Sequence, residues 1–234
     1  MKKTKIIITG SHGLIGSTVT KYFKENKNYQ VFELDLELGH DLTNENFVKS
    51  WFNKNKAEYL INLFALNDHV NNVDNVDSFV KRYTLFNIEL DSFRKFLDVN
   101  VTALFSVCRE FAKNKEAKGI VNFASTYGIV SPSPNLYPGG EKHIGYSTSK
   151  GAVIQLSKHL AVHLAPRVRV NCLVPGGVEY KQSKEFKEEY GKHTPMGRMM
   201  KRDELNKSLE YLCSQDSSYM TGSIMVIDGG WTTW

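Results

Sequence analysis

Tyr146 and Lys150 stand four residues apart in Tyr146-Ser147-Thr148-Ser149-Lys150, a spacing that places a phenol and an ammonium on one face of a helix, a turn apart. A free tyrosine ionises near pH ~10, too high for proton transfer near neutrality, but a neighbouring cation stabilises the phenolate and lowers that value. The pair can therefore serve as a general acid/base. A surface helix can carry the same spacing with no chemistry attached, so the reading depends on what else the chain supplies.

The N-terminus supplies a second constellation. Thr9-Gly10-Ser11-His12-Gly13-Leu14-Ile15-Gly16 follows the apolar run Ile6-Ile7-Ile8 and opens an amphipathic stretch. In that setting glycines permit a tight turn and let backbone N–H groups approach a pyrophosphate at the positive end of a helix. Nineteen residues after Gly16, Asp35 ends the run Val31-Phe32-Glu33-Leu34-Asp35. A carboxylate there accepts hydrogen bonds from an adenosine ribose and repels a 2′-phosphate. The expectation is a dinucleotide site that prefers NAD over NADP. The alternative is a glycine turn and a capping aspartate in a protein that holds no nucleotide.

The elements that must position these residues follow from the hydrophobic period. Short β-branched runs at 5–9, 30–34, 59–63, 119–123, 167–173 and 223–227 alternate with amphipathic stretches at 13–26, 43–55, 89–115, 144–164 and 201–214. That alternation predicts an α/β fold, a doubly wound parallel sheet with helices on both faces. Asp41 or Thr43 is available to cap the second helix. Residues 67–77 (NDHVNNVDNVD) are too rich in Asn and Asp for a helix interior and read as a surface loop. Residues 131–142 read as irregular, and the charged segment 179–202 as a mobile helical flap rather than core.

Composition sets the outer limits. The chain has 234 residues, 41% hydrophobic and 24% charged, which excludes disorder and collagen and suits one domain over 1–234. The net charge of +5 is spread without a block of like charges, so nucleic acid is not an expected partner. Cys108, Cys172 and Cys213 have no zinc or CxxC spacing and leave one over from any disulfide, which fits a reducing cytoplasm. The apolar run near the N-terminus is too short for a signal core or a membrane span. His159 and His163 share a helix face, but no third ligand is in view, and no metal is expected.

The glycine turn, Asp35, Asn100, Ser125, Tyr146 with Lys150 and the ending Asp228-Gly229-Gly230 together resemble the short-chain dehydrogenase/reductase family, from residue 5 to residue 230. The resemblance implies a Rossmann fold and hydride transfer between a nicotinamide and a carbinol carbon. It implies that Ser125 hydrogen-bonds the substrate oxygen, that Tyr146 passes the proton, and that Lys150 lowers the Tyr146 pKa and holds the nicotinamide ribose. Asn100 matches the anchor of a proton-relay water. By the same resemblance Gly10, His12, Gly13, Ile15 and Gly16 cradle the dinucleotide. Asp41 and Leu42 face its adenine, Asn62 sits beside the adenosine ribose, and Pro175, Gly176 and Val178 wall the nicotinamide. Residues 179–202 correspond to a substrate lid.

The departures are specific. Glycines at 10, 13 and 16 have the spacing of the longer, sugar-nucleotide branch, whereas the length fits the single-domain branch. Asn62-Leu63-Phe64-Ala65 keeps only part of the usual Asn-Asn-Ala-Gly, and Tyr180 replaces a common Thr. Ser125 precedes Tyr146 by 21 residues, a longer gap than is usual, and the additional residues would project at the mouth of the site. Relatives linked to bacterial surface-sugar and flagellar-glycan synthesis have similar extensions, so the first expectation is a sugar or sugar phosphate. A 3-oxoacyl thioester reductase is the alternative enzyme, and a dinucleotide-binding sensor or scaffold the alternative of another class. Lysines and arginines in the flap suggest either a solvated helix face or attraction of an anionic substrate. Family likeness implies a homotetramer or homodimer, to which Trp231-Thr232-Thr233-Trp234 could contribute.

Overall fold

The computed structural model describes residues 3–67, 84–137 and 141–234. Six parallel strands form one sheet in the order β2-β1-β3-β4-β5-β6. They are β1 (Thr4–Thr9), β2 (Tyr29–Leu34), β3 (Tyr59–Asn62), β4 (Gly119–Phe123), β5 (Arg169–Pro175) and β6 (Ile224–Ile227). The order reverses between β1 and β3, and such a switch point opens a crevice at the carboxyl ends of the strands. All six expected strands are present, with ends shifted by up to two residues.

Alternation explains why both faces are covered. Ile6 and Ile8 point to one side of β1 and Ile7 to the other, and all three are fully buried. Ile7, Leu60, Ile120 and Val170 pack with Val48, Val107 and Val153 in one core, while Ile6, Ile8, Ile61 and Val121 pack with Val19, Phe23 and Leu209 in the other. Val19 and Phe23 lie on α1 (Gly16–Glu25), Val48 on α2 (Glu45–Lys54), Val107 on α4 (Leu104–Ala112), Val153 on α5 (Ile144–Leu164) and Leu209 on α7 (Asn206–Leu212); α3 (Leu90–Leu97) and α6 (Lys184–Lys192) complete the α-helices of the described residues.

Several helix expectations are corrected. The stretch 89–115 is not one α-helix, because a π-helical turn at Asp98–Ala103 separates α3 from α4, and Asn100 lies within it. Such turns are common at functional sites. Asn44, not Asp41 or Thr43, caps α2, its side chain accepting from the Phe47 N–H. Only Asn206–Leu212 of the stretch 201–214 is α-helical, preceded by a 3-10 turn at Arg202–Leu205. Residues 68–77 of the expected surface loop, and 138–140 of the segment before α5, lie outside the described residues.

The flap also differs from expectation. Tyr190, Met199, Leu136 and Trp231 are all buried and form a third core, with Tyr127, Tyr137 and Phe186 packed against it. Glu179 N–H donates to the Met200 carbonyl at 2.8 Å and Met200 N–H to that of Gly177 at 2.9 Å. The inner face of the segment is thus bound to the sheet end, the 131–137 stretch and the C-terminus. What the sequence shows as a charged run is the outer face of a packed layer.

Candidate active site

The glycine turn is built by close approach. Gly10 has a φ of +66°, and a Cβ there would lie 2.5 Å from the Phe64 backbone nitrogen, so the position requires glycine on both counts. A Cβ on Gly16 would collide with the Gly10 carbonyl oxygen. Gly13 has more room, with that same oxygen 3.3 Å from its Cβ position. Leu14 and Ile15 pack partly against the second core, so this spacing directs apolar side chains inward rather than into the crevice.

Helix α1, which opens at this turn, lacks a side-chain cap and has no acidic residue in its first turn. By contrast, Asn44 caps α2 and Ser183 caps α6. Uncapped N–H groups and the positive helix end suit a pyrophosphate, so the residues present fit a dinucleotide. Asp35 is buried at the end of β2. One carboxylate oxygen accepts from the His12 N–H and the other from the Glu37 N–H, each at 2.9 Å, which leaves lone pairs on both oxygens. The His12 ring lies 3.5 Å from both the Glu33 and Glu37 carboxylates. A groove of about 450 Å³ runs past Ser11, His12, Thr20, Glu33 and Glu37.

Other residues assigned to the cofactor are placed less directly. The Asn62 side chain is buried, donating to Asn122 Oδ1 at 2.8 Å and accepting from Thr9 Oγ1 at 3.1 Å, while Asn122 donates to Ser157 Oγ at 3.0 Å. It belongs to a polar ladder across β1, β3, β4 and α5, which holds the end of β3 in place and leaves the Asn62 backbone as its part towards the crevice. Leu42 is buried in the first core, and Asp41 is exposed and accepts from Thr43 N–H and Oγ1. Pro175 closes β5, Gly176 N–H bonds the Ile227 carbonyl at 2.9 Å, and Val178 bridges to Met200.

The first turns of α5 gather the acid/base residues. Tyr146 and Lys150 are buried, with the Lys150 ammonium 5.8 Å from the Tyr146 ring centroid and donating to the Phe123 carbonyl at 2.8 Å. Two residues beyond Phe123, Ser125 Oγ accepts from the Tyr127 N–H at 3.2 Å and caps the 3-10 turn Thr126–Gly128, its own proton remaining available to donate. This turn packs on α5 so closely that a Cβ on Gly128 would lie 2.7 Å from the Lys150 carbonyl carbon. Asn100 Nδ2 donates to Ser149 Oγ at 2.9 Å and to the Leu66 carbonyl at 3.1 Å, and its Oδ1 accepts from the Leu66 N–H at 2.7 Å. Ser149 Oγ in turn donates to the Tyr146 carbonyl at 2.7 Å. Both N–H bonds of the Asn100 amide are engaged, so its side chain braces α5 against the β3 exit.

Sequence reasoning missed two residues here. His143 is fully buried and caps α5, its Nδ1 accepting from the Gly145 N–H at 3.0 Å. Its Nε2 is 3.0 Å from Ser92 Oγ, and the ring stacks on Phe96, which meets Tyr146 edge-on. Lys142 is also buried. Lys142 ends the stretch 131–142, whose irregular composition reads as loop, and His143 follows it directly before α5, the place of a helix cap.

Burial pushes the Lys150 ammonium down to about 8, which gives a pH signature. Below about pH 8 the folded and unfolded chains both carry the proton, and the fold bears the cost of burying the charge. Between about pH 8 and about pH 10 the folded chain releases its proton first, so this group adds about 3 kcal/mol of stability as pH rises. The buried thiols of Cys108 and Cys213, pushed up to about 12, act in the opposite direction at alkaline pH. The expected result is therefore a difference: urea-unfolding free energies of wild type and Lys150→Met diverge in favour of wild type over this window. Parallel profiles would show that the ammonium is not desolvated.

The flap charges are largely paired, Lys187 with Glu179 at 2.9 Å, Lys192 with Glu189 at 2.7 Å and Arg198 with Glu204 at 2.6 Å. Arg202 stacks over Tyr180 at 4.5 Å. The rings of His159 and His163 are 4.3 Å apart, and no group of three metal-ligating side chains occurs among the described residues. Nor, among those residues, is any helix long and apolar enough to cross a membrane.

Comparison with known proteins bears on this arrangement. The family model described as enoyl-(acyl carrier protein) reductase matches residues 18–232. A galactitol 2-dehydrogenase (L-tagatose-forming) from Cereibacter sphaeroides is 36% identical over 153 residues, 61% of this chain and 58% of that protein; the match thus spans little more than half of that relative. A 3-oxoacyl-[acyl-carrier-protein] reductase from Aquifex aeolicus is 29% identical over 96% of this chain and 86% of its own length. The crystal structure of a short chain dehydrogenase from Leptospira borgpetersenii with bound NAD+ superposes with a TM-score of 0.80 at 26% identity, covering 99% of this chain and 94% of that one. With the match running through nearly the whole sheet and its helices, the chain belongs to the short-chain dehydrogenase/reductase family.

Proposed function

We propose that the protein is an NAD-dependent oxidoreductase acting on a secondary alcohol or the corresponding ketone, with Tyr146 as its general acid/base. The observation that carries this is the buried Tyr146–Lys150 pair on α5, flanked by the Ser125 turn and braced by Asn100 through Ser149. A bound nicotinamide supplies the hydride acceptor or donor. The chain does the rest: Ser125 Oγ–H holds the substrate oxygen, and Tyr146 accepts the hydroxyl proton in oxidation or returns it in reduction. Alkoxide character grows as the carbinol is oxidised, so these donors bind the transition state more tightly than the alcohol. The uncapped start of α1 and the open glycine turn take the pyrophosphate, and Asp35 takes the adenosine ribose.

The preference for NAD rests on Asp35. A 2′-phosphate at the end of β2 would face its buried carboxylate, and such like-charge contacts cost several kcal/mol. Side-by-side titrations should show NADH binding at least about tenfold tighter than NADPH, and Asp35→Ser should narrow the gap. Tighter NADPH binding would remove Asp35 from the ribose and favour the second reading, a 3-oxoacyl thioester reductase, to which the Aquifex relative lends support.

A polyol or sugar is the substrate class we favour, supported by the galactitol dehydrogenase relative, and is tested by NADH formation across a panel of sugar alcohols and sugar phosphates. The pairing of the flap lysines favours a solvated face over an anion trap. A homo-oligomer is supported by a groove of about 350 Å³ between α4 and α5, with Phe105, Ala112, Leu160 and Leu164 as its apolar lining and Arg109, Lys113 and Arg167 also lining it. Three buried free cysteines suit a reducing cytoplasm.

A further inference from the structure

Tyr146 has two cations against its ring, and the nearer is not the one its motif supplies. The Lys142 ammonium lies 4.6 Å from the ring centroid, against 5.8 Å for Lys150. Lys150 is turned towards β4 by its bond to the Phe123 carbonyl. Lys142 is only 5% exposed, and its Nζ is fixed by donation to Asn67 Oδ1 at 2.6 Å, in the stretch that leaves β3. Lys142 arrives at the end of the long segment between Ser125 and Tyr146, the feature that sets the spacing of this chain apart.

Among the described residues the groups facing Tyr146 can be named by element. Helix α5 contributes Lys150, and its entry contributes Lys142 and His143; α3 contributes Phe96 edge-on at 6.4 Å. The turn after β4 contributes Tyr127, whose phenol is held neutral by burial. A cation over an aromatic face is attracted by the ring quadrupole. That attraction grows when the phenol ionises, because negative charge spreads into the ring, and an opposite charge at about 4–6 Å favours the ionised form.

We propose that Lys142 is a second cation of the acid/base site, stabilising the Tyr146 phenolate from the ring face while Lys150 acts from the next turn of α5. The inference rests on the reading of Tyr146 as the proton carrier. It gives the longer Ser125-to-Tyr146 segment a chemical consequence, delivery of a buried ammonium to the reacting side chain.

The test needs neither substrate nor cofactor. Protein labelled with 13C at the tyrosine ζ carbon is titrated by NMR, with Tyr146→Phe identifying the resonance and circular dichroism verifying the fold at each pH. Lys142→Gln removes the charge but keeps a donor for Asn67; Lys142→Met serves if the Gln variant does not fold. The expected result is an upward shift of the Tyr146 midpoint by roughly 1 unit in the neutral variants and restoration in Lys142→Arg. Equal midpoints in wild type and the neutral variants would overturn the role of Lys142. Full turnover in Tyr146→Phe would instead overturn the acid/base reading, and it would leave these midpoints unmoved, so the two failures are distinguishable.

Discussion

Replacing Tyr146 with Phe should lower turnover by about 10²- to 10⁴-fold, the usual contribution of a positioned general acid/base, while fold and dinucleotide affinity stay near wild type. The ring is held by its surroundings: it is 9% exposed, meets Phe96 edge-on, and lies under Lys142 and beside Lys150. Phenylalanine fills the same space, so the substitution removes the phenolic oxygen and little else. Steady-state NADH formation measures the first quantity and fluorescence titration with NADH the second. Equal loss of kcat and kcat/KM would mark an interaction made only in the transition state. Loss of NADH affinity matching the loss of rate would move Tyr146 from chemistry to binding. Unchanged turnover would remove it from the mechanism.

Period and spacing carried far for this chain because its main signals are local. The run Ile6-Ile7-Ile8 reads as a strand buried on both faces, and all three side chains are fully buried. The four-residue spacing of Tyr146 and Lys150 needs only a helix to bring them together, and α5 supplies it. Contacts between distant segments were another matter. The amide of Asn62 is held by Asn122 and Thr9 on neighbouring strands, and no periodicity reports which neighbours a strand end will have. The same holds for the flap. Its alternating Lys and Glu dominate the pattern, whereas Tyr190 and Met199 bury themselves against Leu136, from the middle of the chain, and Trp231, near its C-terminus. Lys142 was hidden for a related reason: a lysine in a Pro- and Gly-rich stretch reads as solvated until the fold closes around it.

The glycine turn yields the second large effect, and it separates three glycines that composition alone treats alike. Gly16→Ala should destabilise the protein by about 3 kcal/mol or more and weaken NADH binding at least about tenfold. The added Cβ would collide with the Gly10 carbonyl oxygen, a backbone atom that cannot swing aside as a side chain can. Relief requires α1 to move off the turn or Gly10 to leave its φ of +66°, and Gly10 is itself wedged against the Phe64 backbone. Either shift displaces the uncapped N–H groups at the start of α1 from the place a pyrophosphate would occupy, so stability and affinity should fall together. Gly13→Ala is the matched control. Its Cβ would sit 3.3 Å from the same oxygen, a contact that a few tenths of an ångström relieve, and its φ is not in the left-handed region. Thermal melts and NADH titrations on the two variants should therefore place Gly13→Ala near wild type and Gly16→Ala well below it. Equal tolerance of both substitutions would mean that the turn is looser than this packing implies, and that helix α1 does not depend on Gly16 to present its backbone donors.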